Sequence, residues 1–473
     1  MRRVSVDRVK SLVGTPAVEA ALAYARRHRE RFLDELADLV HFPSVSSDPR
    51  HADDVMACAR WLAGHLGGLG ASEVRIIPTA RHPIVHAAWR PAKAKPTVLI
   101  YGHYDVVSAD PLQAWRSPPF VATRRGESLY GRGTSDDKGQ LFAHLKALEA
   151  FLRTSGTLPT HVVCLFDGDE ELGSPSLGML LASQRHAFEA DFAVVSDTPI
   201  LGPGRPALTY ALRGLLSLEA RVAGPRNDLH SGQFGGVVHN PAQVLCDLVS
   251  SLHDASGRVA VAGFYDRVRP AREAERASMV RMGPTDYQVR LDAGIDEAWG
   301  EPGYTLFERI TLRPALSVNG LAGGHAGPGP KTVIPSSART KLSVRLVPDQ
   351  EPGEIADLLQ EHFKRLAPTT VRVDVTTDSA VRPFLADLDQ PGVRVAREAY
   401  RRGFGTEPAF LRAGGSIPAV GMLQEALGRS PLLMGFALPD DGMHGPNERL
   451  HLPTFWSAIE TSIWLLAGLA RIM

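Results

Sequence analysis

A chain that runs Val162-Val163-Cys164-Leu165-Phe166 straight into Asp167-Gly168-Asp169-Glu170-Glu171 has few ways to fold. The apolar run reads as a buried strand. It delivers four acids within five residues, and Leu172-Gly173-Ser174-Pro175 then turns the chain. Neighbouring carboxylates at a strand end repel one another unless cations neutralise them. The stretch is therefore either half of a metal site or a solvated acidic loop, and the remaining sequence has to decide which.

Length and composition narrow the field. A chain of 473 residues exceeds what one hydrophobic core fills, so two domains are expected. Lys+Arg and Asp+Glu both total 52, which leaves no net field to favour nucleic acid or an anionic membrane. Cys58, Cys164 and Cys246 are too few and too scattered for a disulfide framework, which fits a reducing, cytoplasmic setting. Asp7, Arg8 and Lys10 interrupt any signal-like apolar core after Arg2 and Arg3. The longest apolar run, Ile463–Ala470, is too short to span a bilayer.

Periodicity predicts a helix over 16–41, ended by Pro43, and a second near 52–69. Strands are expected at 74–77, 84–89, 97–101 and 192–195, with helices at 139–153, near 176–186 and at 454–471. Helices alternating with apolar strands argue for an α/β sheet covered on both faces. From about Leu215 to Arg382 the pattern changes: strands at 215–222, 336–346 and 371–375, with helices after Pro241 and at 355–366. That predicts an inserted α+β domain at 215–382, splitting a first domain into 1–214 and 383–473. His239 is expected to cap the helix after Pro241, 322–330 to be an ordered loop, and Arg267–Arg281 to be a solvated helix face.

Five places have metal-competent residues, most of them at the end of an apolar run. Leu99–Asp105 places His103 and Asp105 on one face if the strand persists, as a ligand with its orienting partner. Gly131–Gly139 carries Asp136 and Asp137, which otherwise read as a helix N-cap. The acidic stretch is third. Val194-Val195-Ser196-Asp197 ends a strand in one acid, and Asp441-Gly442-Met443-His444-Gly445-Pro446-Asn447-Glu448 sets a histidine in a turn.

The order of these motifs resembles the dinuclear zinc aminoacylase/carnosinase superfamily of metallopeptidases, in particular its cytosolic nonspecific dipeptidase and carnosinase branch. The likeness runs from Phe42-Pro43-Ser44-Val45-Ser46 to His444. It implies a zinc-peptidase-like α/β catalytic domain, with a mixed sheet between helices, and an inserted α+β lid/dimerisation domain. It further implies that His103 and Asp197 hold one metal ion, Glu171 and His444 the other, and that Asp136 bridges them. Asp105 would orient His103, Glu170 would be the general acid/base, and the Asp136–Asp137 peptide would be cis. Two divalent ions per subunit are implied, zinc first, with manganese or cobalt possible. Their roughly four positive charges offset the roughly four negative ones of Asp136, Glu171, Asp197 and a bridging hydroxide, leaving Glu170 uncommitted.

Residues of the inserted domain match as well. Asn227–Gly236 resembles the lid-domain histidine motif, which implies that His230 reaches a neighbouring subunit's site in a homodimer and steadies an oxyanion. Lys331–Pro335, Val344–Pro348 and Gly414–Pro418 resemble the branch's substrate contacts, which implies that Thr332, Arg345 and Ser416 bind substrate. Arg345 offers a bidentate fork for a free C-terminal carboxylate. Read without the resemblance, His230 is a turn residue, Arg345 a surface strand residue and Gly414–Pro418 a Gly-rich turn. Arg132 is expected to brace the Asp136 loop, and His325 receives no role. The implied activity is hydrolysis of dipeptides or short peptides at a metal site. N-acyl-amino-acid deacylation on the same fold, and an inactive metal-binding scaffold, are the rival readings.

Overall fold

The computed structural model describes residues 14–91, 95–184 and 188–472. The basic and acidic residues weighed at the N-terminus, and His186 at the end of one expected helix, lie outside these. The chain divides into two compact units. One takes the chain up to Tyr210, then Ala386–Leu411 and Ile417 onward; the other is Ala211–Leu385 with Arg412–Ser416. The second unit is thus slightly wider than 215–382, and it includes the loop carrying Ser416.

The first unit is α/β with a mixed sheet. Its strands lie in the order Glu73–Ile77, Ile84–Trp89, His161–Asp167, Thr97–His103, Phe192–Val195, Leu432–Leu433 and Ala207–Leu212. From His161–Asp167 to Leu432–Leu433 the pairing is parallel, and the flanking pairs are antiparallel. Every residue of Ile84–Trp89 and all but the first of Thr97–His103 are buried. Burial of both alternating sets means that both faces are covered, hence the unbroken apolar runs. Helix Lys138–Ser155 packs on strand Thr97–His103 and against helices Pro16–Arg27 and Leu452–Leu469. It is buried from Lys138 to Phe151. No helix among the described residues is long and apolar enough to cross a membrane.

The helix expected over 16–41 is two helices, Pro16–Arg27 and Arg29–Val40. His28 leaves helical geometry at the junction, and its Nδ1 lies 2.8 Å from the Tyr24 carbonyl oxygen. Under this pair sits an ion cluster. Buried Lys146 donates to Glu149 at 2.8 Å and to Glu35, while Arg31 and Tyr24 donate to the same Glu149 oxygen at 2.5 and 3.0 Å. Burial alone would raise the Glu149 pKa, but Lys146 and Arg31 outweigh it and hold the carboxyl at about 2. A depressed acid contributes stability above its unfolded pKa and loses it as pH falls through the folded value. Glu149→Gln is therefore expected to cost about 3 kcal/mol near neutral pH. The gap from wild type should close between about pH 4.5 and about 2 in denaturant titrations; a constant gap would show that the ion pairs are not its source.

The second unit carries a four-stranded antiparallel sheet in the order Ala315–Gly323, Ser337–Leu346, Gly214–Ala223 and Arg372–Val381. Helices Pro241–Ser250 and Pro352–Leu366 pack on it. Strand Gly214–Ala223 alternates buried and less buried residues, the period of a sheet with one covered face. The edge strand Ala315–Gly323 was not expected from the sequence, and it takes in the start of the supposed loop at 322–330. Asn240, rather than His239, caps helix Pro241–Ser250, its Oδ1 accepting from Ala242 N at 2.9 Å. His239 instead meets Thr370 Oγ1 at 2.9 Å. The solvated helix expected at Arg267–Arg281 begins only at Glu273 and buries Met279.

Candidate metal centre and active site

The strand order explains how distant residues meet. Thr97–His103 lies between His161–Asp167 and Phe192–Val195, all three parallel. Their carboxyl ends therefore point the same way, where open α/β sheets place their sites. His103 ends the middle strand. The strand on one side leads to Glu170 and Glu171, and the strand on the other leads to Asp197. A small sheet pairing Arg449–His451 with Ser128–Tyr130 brings two further loops, bearing His444 and Asp136, to each other.

Asp136 lies at the middle of the cluster. Its Oδ1 is 3.1 Å from His103 Nε2, and its Oδ2 is 2.9 Å from His444 Nε2. Each oxygen of one carboxylate thus faces a different imidazole. Glu171 Oε2 lies 3.3 Å from His444 Nε2. Ligand atoms of His103, Asp136 and Glu171 all fall within 4.8 Å of one another. Asp197, half-buried, lies close enough for Asp136, Asp137 and Glu170 to act on its charge. His444 is exposed and sits at φ 62°, in the left-handed region.

The supports are equally specific. His103 Nδ1 lies 3.1 Å from the Asp105 carbonyl oxygen and 3.5 Å from its Oδ1. Asp105 then accepts from the backbone N–H of Glu170 and of Glu171, both at 3.1 Å. It therefore ties the histidine to the acidic turn. Asp137 takes the N-cap position without capping; its Oδ2 accepts from His103 N at 3.2 Å. A Cβ on Gly102 would come within 2.8 Å of that oxygen, so a larger residue there would push the Asp137 carboxylate aside. The Asp136–Asp137 peptide is cis. Asp167 accepts from Tyr101 Oη at 3.2 Å and Asp169 from Ser176 Oγ at 2.6 Å, both acids being buried beneath the turn.

The electrostatics call for cations. Burial and neighbouring acids raise the Asp197 pKa well above the usual carboxylate range. Burial, with Glu171 and Asp105 close by, pushes Glu170 up to about 8 despite His103. Hydrogen bonds to Asp136 and Glu171 raise His444 to about 10, and at His103 the bonds to Asp105 and Asp136 outweigh burial and raise it well above normal. Among the described residues Glu171 Oε1 is buried with no hydrogen-bond partner. Imidazole and carboxylate donors without thiolate, an orphaned carboxylate oxygen and a carboxylate shared between two histidines fit two divalent ions. By contrast, the cluster of Glu35, His65 and Glu149 already holds the Lys146 ammonium, which lies 3.1 Å from His65 Nε2.

The remaining expected residues belong to the second unit. His230 is exposed, and its Nδ1 accepts from Gly232 N at 3.0 Å. The neutral ring then carries its proton on Nε2, which lies 3.4 Å from Thr332 Oγ1. Arg345 Nη1 donates to Ser416 Oγ at 3.0 Å, and Ser416 Oγ donates to the Arg213 carbonyl at 2.5 Å. A hydroxyl has one proton, so Ser416 orients Arg345 rather than donating to another group. That latch, Arg213 Nε donating to Gly414 O at 2.9 Å and the Arg412–Glu275 ion pair tie the 412–416 loop to the second unit. Among the described residues neither guanidinium faces a carboxylate; burial and Arg345 together lower Arg213 to about 10. Two half-buried cations thus lie near each other with no carboxylate partner among the described residues.

Sheet, inserted unit and acid–histidine cluster define a class: α/β enzymes that gather divalent-metal donors at the carboxyl ends of parallel strands. Residues 99–471 match the family described as Peptidase family M20/M25/M40, and the chain belongs to it. It is similar to the Cys-Gly metallodipeptidase of Candida albicans, with 32% identity covering 92% of this chain and 93% of that protein. It is 31% identical to the human Beta-Ala-His dipeptidase, over 94% of this chain and 90% of that one. Among solved structures, an M20 family metallo-carboxypeptidase, Sso-CP2 from Sulfolobus solfataricus, matches with a TM-score of 0.84 and 30% identity, covering 93% of this chain and 99% of that one.

Proposed function

We propose that this enzyme is a metal-dependent dipeptidase, cleaving the peptide bond of dipeptides or short peptides that end in a free carboxylate. The observation that carries the reading is the Asp136 carboxylate, one oxygen towards His103 and the other towards His444, with Glu171 beside it. His103 and Asp197 would hold one ion, Glu171 and His444 the other, with Asp136 between them. Zinc is the first choice, and manganese and cobalt suit the same donors. When bound, two such ions polarise the scissile carbonyl and lower the pKa of an attacking water.

Glu170 accepts the proton of the attacking water and passes it to the departing amine. Its carboxyl sits beside the acid cluster, where burial and the neighbouring acids raise its affinity for a proton. Asp105 keeps His103 oriented through its own contacts to the ring and to the acidic turn. Arg345, steadied by Ser416, receives the C-terminal carboxylate, and Thr332 adds a hydroxyl. The second unit acts as lid and dimerisation domain of a homodimer. Strand Ala315–Gly323 is the edge of its sheet, and its exposed Val318 and Leu321 side chains support that role. A cytoplasmic setting is supported by three unpaired cysteines.

A purified-enzyme panel tests the substrate class. Unblocked dipeptides are compared with N-acetyl and N-succinyl amino acids, with zinc, manganese and cobalt in turn. Dipeptides should give the higher kcat/KM. Preference for the acyl substrates would make the enzyme a deacylase, since acylated amino acids carry the same free carboxylate.

A further inference from the structure

Glu448 has no counterpart among the residues assigned above, yet its carboxylate is fully buried beside a fully buried guanidinium. Its Oε2 accepts from Arg132 Nη1 at 2.7 Å and from Gly133 N at 2.8 Å. Its Oε1 accepts from Ser135 N at 2.8 Å and from Asp136 N at 3.0 Å. One carboxylate thus gathers three backbone amides of the turn that ends in Asp136. Gly133, at φ 84°, adopts the left-handed conformation within that turn.

Arg132 works on the opposite loop. Its Nη2 donates to Gly445 O, next to His444, at 3.0 Å and to Ser108 O at 3.3 Å. Its guanidinium lies over the Trp115 ring, 5.3 Å from the centroid. The backbone repeats the connection, since Glu448 O accepts from Gly131 N at 3.0 Å. Glu448 and His444 belong to one turn, and Arg132 and Asp136 to another. The ion pair therefore crosses from each turn to the other, and the separation of the two turns cannot change without breaking it.

We propose that Glu448, clamped by Arg132, is a positioning residue that fixes the distance between Asp136 and His444 and thereby the affinity for the ion they share. The inference rests on the reading of those two residues as metal ligands. Its reach exceeds that of a buried ion pair because all four acceptor contacts are specific to a carboxylate. A glutamine of the same shape has one oxygen; its amide would turn N–H groups towards either Arg132 and Gly133 or Ser135 and Asp136.

The test is cobalt titration of full-length wild type, Glu448→Gln and the double variant Arg132→Met/Glu448→Leu, followed by calorimetry and by visible absorption. Wild type should take up two ions. Glu448→Gln should bind one of them ~10–100-fold more weakly, with an altered visible spectrum. The double variant removes both buried charges, so its thermal midpoint should recover towards wild type while the weakened site stays weak. Recovery of affinity together with stability, or unchanged cobalt binding in a less stable Glu448→Gln, would reduce the pair to a structural role and overturn the proposal. Failure of the underlying reading looks different: wild type would not bind two ions, or His444→Ala would leave both sites unchanged.

Discussion

Glu170→Gln lowers kcat by at least ~100-fold with both metal ions still bound, if Glu170 carries the proton. The expectation follows from what the side chain does and does not touch. Its backbone N–H is held by Asp105 Oδ1, whereas the neighbouring Glu171 points an oxygen at His444. On the proposed reading the two adjacent acids divide the work, Glu171 as ligand and Glu170 as base. Glutamine preserves shape and backbone contacts but cannot accept a proton. Turnover measured beside metal content separates the outcomes. Activity within a few-fold of wild type would place the proton transfer elsewhere. Loss of a metal ion along with activity would make Glu170 a ligand.

The acid–histidine cluster was legible because its residues end elements or occupy turns that the sequence marks. Strand runs of period 2 or unbroken apolarity stop at His103, at the acidic turn and before Asp197, and a single Asp-Gly-x-His turn carries His444. What stayed hidden depends on partners far along the chain. Glu448 reads as the last residue of a turn, and only the pairing of Arg449–His451 with Ser128–Tyr130 brings it to Arg132. The edge strand Ala315–Gly323 escaped because only Leu316 in it is buried, so no alternation marks it. Likewise the helix break at His28 comes from one residue's backbone, inside a run whose apolar spacing continues on both sides.

His230→Ala should reduce kcat by ~10²–10³-fold, the usual effect of losing one oxyanion donor, without altering metal content. The geometry leaves one ring nitrogen available for this. Nδ1 is occupied by the Gly232 amide proton, so the neutral imidazole presents an N–H at Nε2, beside Thr332. Its family resemblance implies that it serves the partner's site, and complementation decides this. Glu170→Gln protomers keep His230, and His230→Ala protomers keep Glu170. In a hybrid dimer with action in trans, one site combines an intact Glu170 with the partner subunit's intact histidine. Mixing the two inactive proteins should then restore activity at the rate at which subunits exchange. If hybrids form, as native mass spectrometry would show, and activity stays at the level of the parents, His230 acts within its own subunit.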